Sequence, residues 1–174
     1  MKNFFSQNQG FTLVELLTVV AMICIISGIA AANYRLGDRR VILDNQAAQL
    51  DQDFRRAQEW ALSSRETNGT SPAGYGVYAP GAGGYYILYA DSDGNKKYSG
   101  ESEIVEKIFL DGKIEISACQ PSPADINYTA PDLAAKITNG AGAGFDWARI
   151  TFRIKGGAQT RVIAANAAGL VYVE

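Results

Sequence analysis

Residues 9–32 read QGFTLVELLTVVAMICIISGIAAA, and this stretch decides how the rest of the chain is interpreted. From Phe11 to Ala32 there are 22 consecutive residues with a single charged group, Glu15. A helix of about 20 predominantly apolar residues is long enough to span the hydrocarbon of a bilayer. We therefore expect residues 11–32 to form a transmembrane helix.

A second helical pattern follows the apolar stretch. Residues 33–65 are highly charged and contain no proline. Their apolar side chains recur at intervals of four and three residues, at Leu43, Ala47, Leu50, Phe54, Ala57 and Ala61. This period places those side chains on one face of an amphipathic helix. The opposite face carries i,i+4 pairs of opposite charge, which keep an exposed helix soluble: Arg40 with Asp44, and Asp51 with Arg55.

The two patterns join without a strong stop signal, so the sequence predicts one helix from about residue 11 to residue 64. Glycine is a poor helix former, which makes Gly28 and Gly37 the expected places for a bend. The turn-forming run at residues 67–74, TNGTSPAG, then ends the helix.

Beyond residue 66 the spacing of apolar residues changes from the period of a helix to that of β-strands. Short runs rich in β-branched and aromatic residues lie at 74–79, 84–91, 103–110, 113–117, 147–154, 160–165 and 169–173. Tight hairpin turns are expected at Asp111-Gly112 and Gly156-Gly157. Residues 120–144, with three prolines and a Gly/Ala run, are expected to be a long irregular excursion.

These patterns predict an α+β fold in which a long N-terminal helix packs on a small, mainly antiparallel β domain. The expected segments are 1–10 ahead of the helix, 11–32 and 33–65 as the two halves of the helix, and 66–174 as the β domain.

Composition excludes several kinds of chemistry. The 174 residues include no histidine and only two cysteines, Cys24 and Cys119, and the formal net charge is −2. Imidazole bases, Ser-His-Asp triads, histidine-ligated metals and four-cysteine metal sites are therefore excluded. We expect a protein that is not an enzyme and that needs no cofactor.

The carboxylate of Glu15 needs a partner, because an unpaired charge in a membrane helix costs roughly 2.5 to 3.5 kcal/mol. Cleavage after Gly10 would create an α-amine on Phe11, four residues before Glu15 and about 6 Å away along a helix. The carboxylate would then pair within its own chain, or with the amine of a neighbouring chain in a helical bundle. Gly10 suits a cleavage point because a protease can approach its bare backbone closely.

The run Gly10-Phe11-Thr12-Leu13-Val14-Glu15-Leu16-Leu17 resembles the prepilin cleavage and methylation signature of type IV pilins and of the pseudopilins of type II secretion. The resemblance implies a pilin-like lollipop fold. It also implies that a membrane aspartic prepilin peptidase cleaves between Gly10 and Phe11 and N-methylates Phe11. Glu15 would recognise the Phe11 amine of an adjacent subunit during assembly.

The same resemblance implies a structural subunit, expected to be a minor one, of a pilus or pseudopilus. It would sit in the bacterial inner membrane with one span and an extracytoplasmic globular domain before it enters a filament. Its partners would be the prepilin peptidase, other pilin or pseudopilin subunits, the inner-membrane assembly platform and the lipid bilayer. The C-terminal runs at 150–152, 156–157, 162–163 and 169–171 are similar to the closing strands of H-type minor pseudopilins, whose β domain has two sheets.

The chain departs from the family pattern in two respects. Many members have proline at the position of Ala32, and the usual C-terminal disulfide is excluded because Cys24 lies in the apolar segment. Cys119 is therefore expected to be a buried free thiol, with an intermolecular bridge as the alternative.

Two alternatives concern the N-terminus. A secretory signal peptide could be cut at Ala30–Ala32, which would leave Asn33 as the new terminus. A binding module could also keep its helix uncleaved as a membrane tether.

Three further clusters are candidate sites. Asp91, Asp93 and Asn95 offer oxygen side chains at alternate positions, as a calcium loop would, although their spacing departs from an EF-hand and a turn between strands is the alternative. Glu101, Glu103 and Glu106 are expected on a solvated strand face, and a shared carboxylate site is the alternative.

Basic residues form the third cluster. Arg149, Arg153 and Lys155 share a predicted strand face, with Arg161 on the next strand, and such a stripe could contact nucleic-acid phosphates. A DNA-binding minor pilin is therefore an alternative function, and an ordinary solvated sheet face is the alternative explanation of the stripe.

Overall fold

The computed structural model describes residues 10–67, 69, 71–132 and 134–174, with the backbone alone over residues 32–38. The expected leader, apart from Gly10, lies outside the described residues. The chain divides into two compact units, Met1–Asp38 and Arg39–Glu174.

One helix, α1, extends over Leu13–Leu62. It ends in a Schellman motif, in which the Arg65 amide donates to the Trp60 carbonyl at 3.2 Å and the Ser64 amide to the Ala61 carbonyl at 3.4 Å. Ser64 holds the left-handed conformation that this ending needs, with φ of 46°. The helix therefore stops shortly before the turn-rich run, through its own capping bonds.

Within Arg39–Glu174, the predicted apolar stripe of α1 is confirmed as the buried face. Its six members are 0–5% exposed and belong to one hydrophobic core together with strand residues. Apolar burial of this kind contributes roughly 25 cal/mol per Å² removed from water. The stripe is therefore what holds this half of the helix to the rest of its unit.

The described part of this unit contains ten strands. They are β1 Gly74–Ala79, β2 Tyr85–Asp91, β3 Ile104–Phe109, β4 Ile114–Gln120, β5 Ala124–Tyr128, β6 Ala135–Thr138, β7 Gly144–Phe145, β8 Trp147–Ile154, β9 Thr160–Asn166 and β10 Val171–Val173. A six-stranded sheet has the order β3-β2-β1-β5-β6-β7, and a four-stranded sheet the order β10-β9-β8-β4. Every pairing of these strands is antiparallel, as expected.

The expectation of an irregular excursion at residues 120–144 is wrong. Strands β5, β6 and β7 lie in it, and β4 extends to Gln120. All five residues of β5 are buried, because both faces of this strand are covered. Its sequence, ADINY, does alternate apolar and polar residues, but the run is only five residues long and prolines stand on both sides of it, at 121, 123 and 131.

Only one of the two expected hairpins is present. Gly156 has φ of 72° in the turn that joins β8 to its antiparallel neighbour β9, which confirms that hairpin. Asp111-Gly112 joins β3 to β4, and these strands lie in different sheets. The second turn therefore carries the chain from one sheet to the other.

Hydrogen bonds and ion pairs, as well as apolar contacts, join the helix to the core faces of both sheets. The carboxylate of Asp53 is 3% exposed and accepts hydrogen bonds from the Tyr86 hydroxyl at 2.6 Å and from Arg56 at 2.7 Å. On the other side, Arg161 of β9 binds Asp44 at 2.7 Å, and Gln58 donates to the carbonyl of Gly169, in the turn between β9 and β10, at 2.6 Å. Each sheet is thus held to the helix by at least one directional bond.

Gly76 in β1 lies under the ring of Tyr89. A Cβ at this position would come within 2.5 Å of the Ile126 carbonyl oxygen and of the Tyr89 ring. Strand β5 and the ring approach the β1 backbone this closely only because glycine has no side chain.

Replacing Gly76 by alanine should therefore destabilise the β domain. Overpacking of a filled interior costs about 1–3 kcal/mol, and we expect a loss of that size in denaturant unfolding of the detergent-solubilised chain. Gly112→Ala is the matched control, because its added Cβ would meet nothing within 4 Å. Equal stability of the two variants would contradict the close approach at β1.

Candidate functional site

The peptide bond between Gly10 and Phe11 lies just ahead of α1. Both residues precede the first helical residue, Leu13, and both are exposed, Phe11 by 83% of its surface. A side chain added at Gly10 would meet nothing within 4 Å. The bond that the sequence singled out for cleavage is therefore outside regular structure and open to an enzyme.

Thr12 is the N-cap of the helix, a role that the sequence analysis missed. Its hydroxyl accepts a hydrogen bond from the Glu15 amide at 3.2 Å, and its carbonyl accepts from the Leu16 amide at 3.2 Å. Glu15 is then the third helical residue, so Thr12 and Glu15 have the spacing of a capping box. The pattern T-x-x-E before an apolar run was the available signal.

The Glu15 carboxylate is exposed at the first turn of the helix. Within the described residues, its side chain makes no hydrogen bond or ion pair. The positive end of the helix dipole favours a carboxylate at this position. The predicted distance of about 6 Å between Glu15 and the Phe11 amine assumed a helix that includes Phe11. Because α1 begins two residues later, at Leu13, this helical spacing does not apply.

The helix that follows is apolar around its whole circumference. The span Leu13–Ala31 has the length and composition needed to cross a membrane, and none of it is buried within its unit. Such a surface is stable in hydrocarbon or against other apolar helices, and a water-exposed helix would instead show a polar face.

The predicted basic stripe is only partly assembled. Arg149 and Arg153 lie on the outer face of β8, and each has a carboxylate partner. Arg153 contacts Glu115 at 2.6 Å and Arg149 contacts Glu174 at 3.7 Å. Lys155 is exposed just after β8.

Arg161 does not belong to this stripe, which corrects the sequence analysis. It pairs in register with Phe152, a buried residue of β8, so its side chain leaves the sheet on the core face. There it binds Asp44 of α1 at 2.7 Å. The register of the hairpin, which decides this face, was not fixed by the alternation within one strand.

The loop after β2 uses its side-chain oxygens to bind its own backbone. Asp91 is fully buried and accepts from the Gly94 amide at 2.8 Å and the Lys96 amide at 2.9 Å. Asp93 accepts from the Asn95 amide at 3.0 Å and from the Asn95 side chain at 2.7 Å. These are the bonds of a tight polar turn.

The third carboxylate near Asp91 and Asp93 is Glu103, and carboxylate oxygens of the three lie within 4.8 Å of one another. The expectation that Glu103 lies on a solvated strand face is wrong. It sits in the 3₁₀ helix Glu101–Glu103, is 3% exposed, and accepts from the amides of Ser92 and Ser99 at 3.1 and 2.8 Å.

Oxygen donors of this kind suit a hard cation, and the calcium hypothesis stays a prediction. Its donors would be the three clustered carboxylates in place of the expected set with Asn95, whose side-chain oxygen accepts the Lys97 amide at 2.9 Å. Burial raises the pKa of Asp91, because it disfavours the charged form.

A buried polar network on the same face of the six-stranded sheet was missed by the sequence analysis. Asp125 of β5 is fully buried and accepts from the Tyr89 hydroxyl at 2.6 Å and the Tyr98 amide at 2.8 Å. Asn127 donates to the same hydroxyl at 3.3 Å. Burial raises the pKa of Asp125 to about 6.

Cys119 is a buried free thiol, as expected, and Cys24 is also free. Burial raises the pKa of Cys119 to about 12, which keeps it protonated and unreactive at neutral pH. Cys119 is therefore not a candidate nucleophile.

The ion pairs of the basic stripe lead to a prediction about DNA binding. Because carboxylates stand beside both guanidinium groups, these two arginines offer a phosphate no net positive charge. We expect the double variant Arg149→Ala, Arg153→Ala to bind double-stranded DNA as weakly as the parent in fluorescence anisotropy at low and physiological salt. Parental binding that weakens with salt and is lost in the double variant would contradict this.

Comparison with known proteins identifies the N-terminal site. Residues 5–31 match the family model described as the prokaryotic N-terminal methylation motif. No curated protein and no solved structure matches the chain. The matched residues include the exposed Gly10-Phe11 bond, the Thr12 cap, Glu15 and the apolar helix. The chain therefore carries the N-terminal methylation motif, which is the signature of type IV pilins and pseudopilins.

Proposed function

We propose that the chain is a structural subunit, in a minor role, of a type IV pilus or a type II secretion pseudopilus. In this proposal a prepilin peptidase cleaves the bond between Gly10 and Phe11 and N-methylates Phe11. The subunit then joins other subunits through its apolar helix. The methylation motif at residues 5–31 is the observation that carries the proposal.

The geometry at the cleavage point supports processing by an external enzyme. The bond is exposed, Gly10 offers no side chain to obstruct the enzyme, and the Thr12 cap fixes where the helix begins. The chain's part in this reaction is that of substrate. We propose no catalytic role for its own residues.

The charge on Glu15 supports an assembly contact. Once the apolar helix lies in hydrocarbon or in a bundle, a lone carboxylate is costly and a terminal amine relieves the cost. Thr12 occupies the Glu15 amide and leaves the carboxylate available. A neighbouring subunit's Phe11 amine is the partner that the proposal assigns to it.

The arrangement in the membrane follows from the same helix. Residues 11–32 would cross the bacterial inner membrane once, and Arg39–Glu174 would form the extracytoplasmic unit. The assembly platform would extract the helix into a filament. The two-sheet β domain agrees with the similarity to H-type minor pseudopilins, and this supports the minor role.

Processing is tested by the mass of the mature protein. We expect the parent to lack its first ten residues and to carry one methyl group on Phe11. Gly10→Val should block maturation, because a β-branched side chain obstructs close approach to the backbone. Gly28→Ala, which also meets open space, should mature normally.

Two results would overturn the processing proposal. Recovery of the parent with Met1 intact would favour a module with an uncleaved tether. A mature terminus at Asn33 would favour a secretory signal peptide.

The assembly contact is tested by Glu15→Gln, which keeps the size of the side chain and removes its charge. We expect incorporation into sheared filaments to fall by about tenfold or more, because a buried amine loses its ionic partner. Glu59→Gln, an exposed position on the same helix, should assemble like the parent. Equal incorporation of the two variants would contradict the role of Glu15.

A further inference from the structure

We propose that one end of the Arg39–Glu174 unit binds the headgroups of anionic phospholipids. This surface, the basic end, consists of Arg39 and Arg40 on α1 and of Lys155 and Arg161 on the β8–β9 hairpin. Its centre is a cleft between Arg40 and Arg161, which takes the phosphodiester of one headgroup. This role rests on the proposed function, because it needs the apolar helix to lie in a bilayer.

The β8–β9 hairpin lies against the first turns of α1 in this unit. Arg161 binds Asp44 of the helix at 2.7 Å. Gln159 and Thr160, at the start of β9, line the same cleft as Arg40. Two elements that are far apart in the sequence therefore bring their basic side chains to one end of the unit.

The cations of the basic end outnumber the carboxylates beside them. Within the described residues, Arg39, Arg40 and Lys155 make no ion pair. Asp44, the expected partner of Arg40, is bound by Arg161 instead. The adjoining turn between β3 and β4 contributes one charge of each sign. The formal net charge of the whole chain is −2, so the rest of the chain is on balance acidic and the positive charge is concentrated here.

The cleft at the centre of the basic end suits a phosphodiester. It has a volume of about 220 Å³ and is lined by Arg40, Leu43, Asp44, Gln159, Thr160 and Arg161. A guanidinium group presents paired N–H donors that match the oxygens of a phosphate, and the Thr160 hydroxyl is a further donor. Because Asp44 neutralises one of the two arginines, the cleft carries one net positive charge. The single negative charge of a phosphodiester matches it.

The place of Arg39 in the sequence identifies the bilayer as the source of this phosphodiester. The apolar span ends at Ala31, and Arg39 follows eight residues later. Eight residues reach at most about 26–29 Å even when fully extended, so Arg39 stays that close to the end of the span. The tether keeps headgroups at a high local concentration around the basic end. Each cation near an anionic bilayer then strengthens the attachment roughly fivefold.

Energy transfer in vesicles measures the docking of the basic end. The full chain carries a donor fluorophore on Ala158→Cys, an exposed position in the β8–β9 hairpin. Cys24→Ser directs the label to this position, since Cys119 is buried. A headgroup-labelled lipid is the acceptor, in vesicles of phosphatidylcholine alone or of equal parts phosphatidylcholine and phosphatidylglycerol. We expect higher transfer in the mixed vesicles, and loss of the increase at about 1 M salt, where charges are screened beyond about 3 Å.

Arg40→Gln tests the cleft itself. The docking constant, obtained by varying the fraction of phosphatidylglycerol, should fall roughly fivefold with the loss of this cation. Arg55→Gln is the matched control, because Arg55 is exposed on the same helix and is paired with Asp51. It should dock like the parent, and equal docking of the two variants would overturn the assignment to the cleft.

Competition separates a lipid headgroup from other phosphates. At matched ionic strength, inorganic phosphate and a short DNA duplex should each leave the transfer in mixed vesicles unchanged, because neither is tethered to the chain. Displacement by inorganic phosphate would assign the cleft to a free anion, and displacement by the duplex would assign the basic end to nucleic acid. Either result would overturn the proposal.

Flotation with the vesicles distinguishes a failure of this proposal from a failure of the proposed function. A chain that does not float with vesicles of phosphatidylcholine alone would contradict the membrane span and overturn both. A chain that floats with both kinds of vesicle but shows equal transfer in them would overturn only the role of the basic end.

Discussion

The burial of one face of α1 is the constraint on which the Arg39–Glu174 unit depends. The two sheets share no strand, and the stripe from Leu43 to Ala61 belongs to the same core as residues of both. Directional bonds flank this apolar contact: Asp53 binds Tyr86 of one sheet, and Asp44 binds Arg161 of the other. The helix therefore fixes the sheets to a common core, and each sheet contributes only one of its faces.

Carboxylates in the two units have different surroundings. Asp91, Glu103 and Asp125 are satisfied by backbone amides and tyrosine hydroxyls of their own unit. Glu15 has its amide occupied by Thr12 and its carboxylate exposed on an apolar helix. A charge of the first kind belongs to the fold, whereas one of the second kind would need a partner outside the chain once the helix lies in hydrocarbon, as we propose.

The parts of the structure that sequence predicted are those with a local period. The stripe of α1, the alternation in β8 and the Gly156 turn each depend on neighbours within a few residues. Strand β5 was missed because it is short and lies among prolines. The burial of its second face could not be predicted, since Asp125 and Asn127 suggest solvent in a sequence but face a buried network. Arg161 was placed on the wrong face because its direction depends on hairpin register, which is a property of two strands.

In the candidate sites, too, contiguous motifs were predicted, whereas residues brought together by the fold were not. Gly10, Phe11 and Glu15 were found because their motif is contiguous, and the Thr12 cap was equally visible as T-x-x-E. The buried carboxylates next to residues 92–100 come from β2, the 3₁₀ helix and β5. Asp91 and Asp125, which are 34 positions apart in the sequence, gave no shared pattern. Their proximity requires β1 to pair with both β2 and β5. Chemistry assembled across a sheet in this way becomes visible only when the strand order is known.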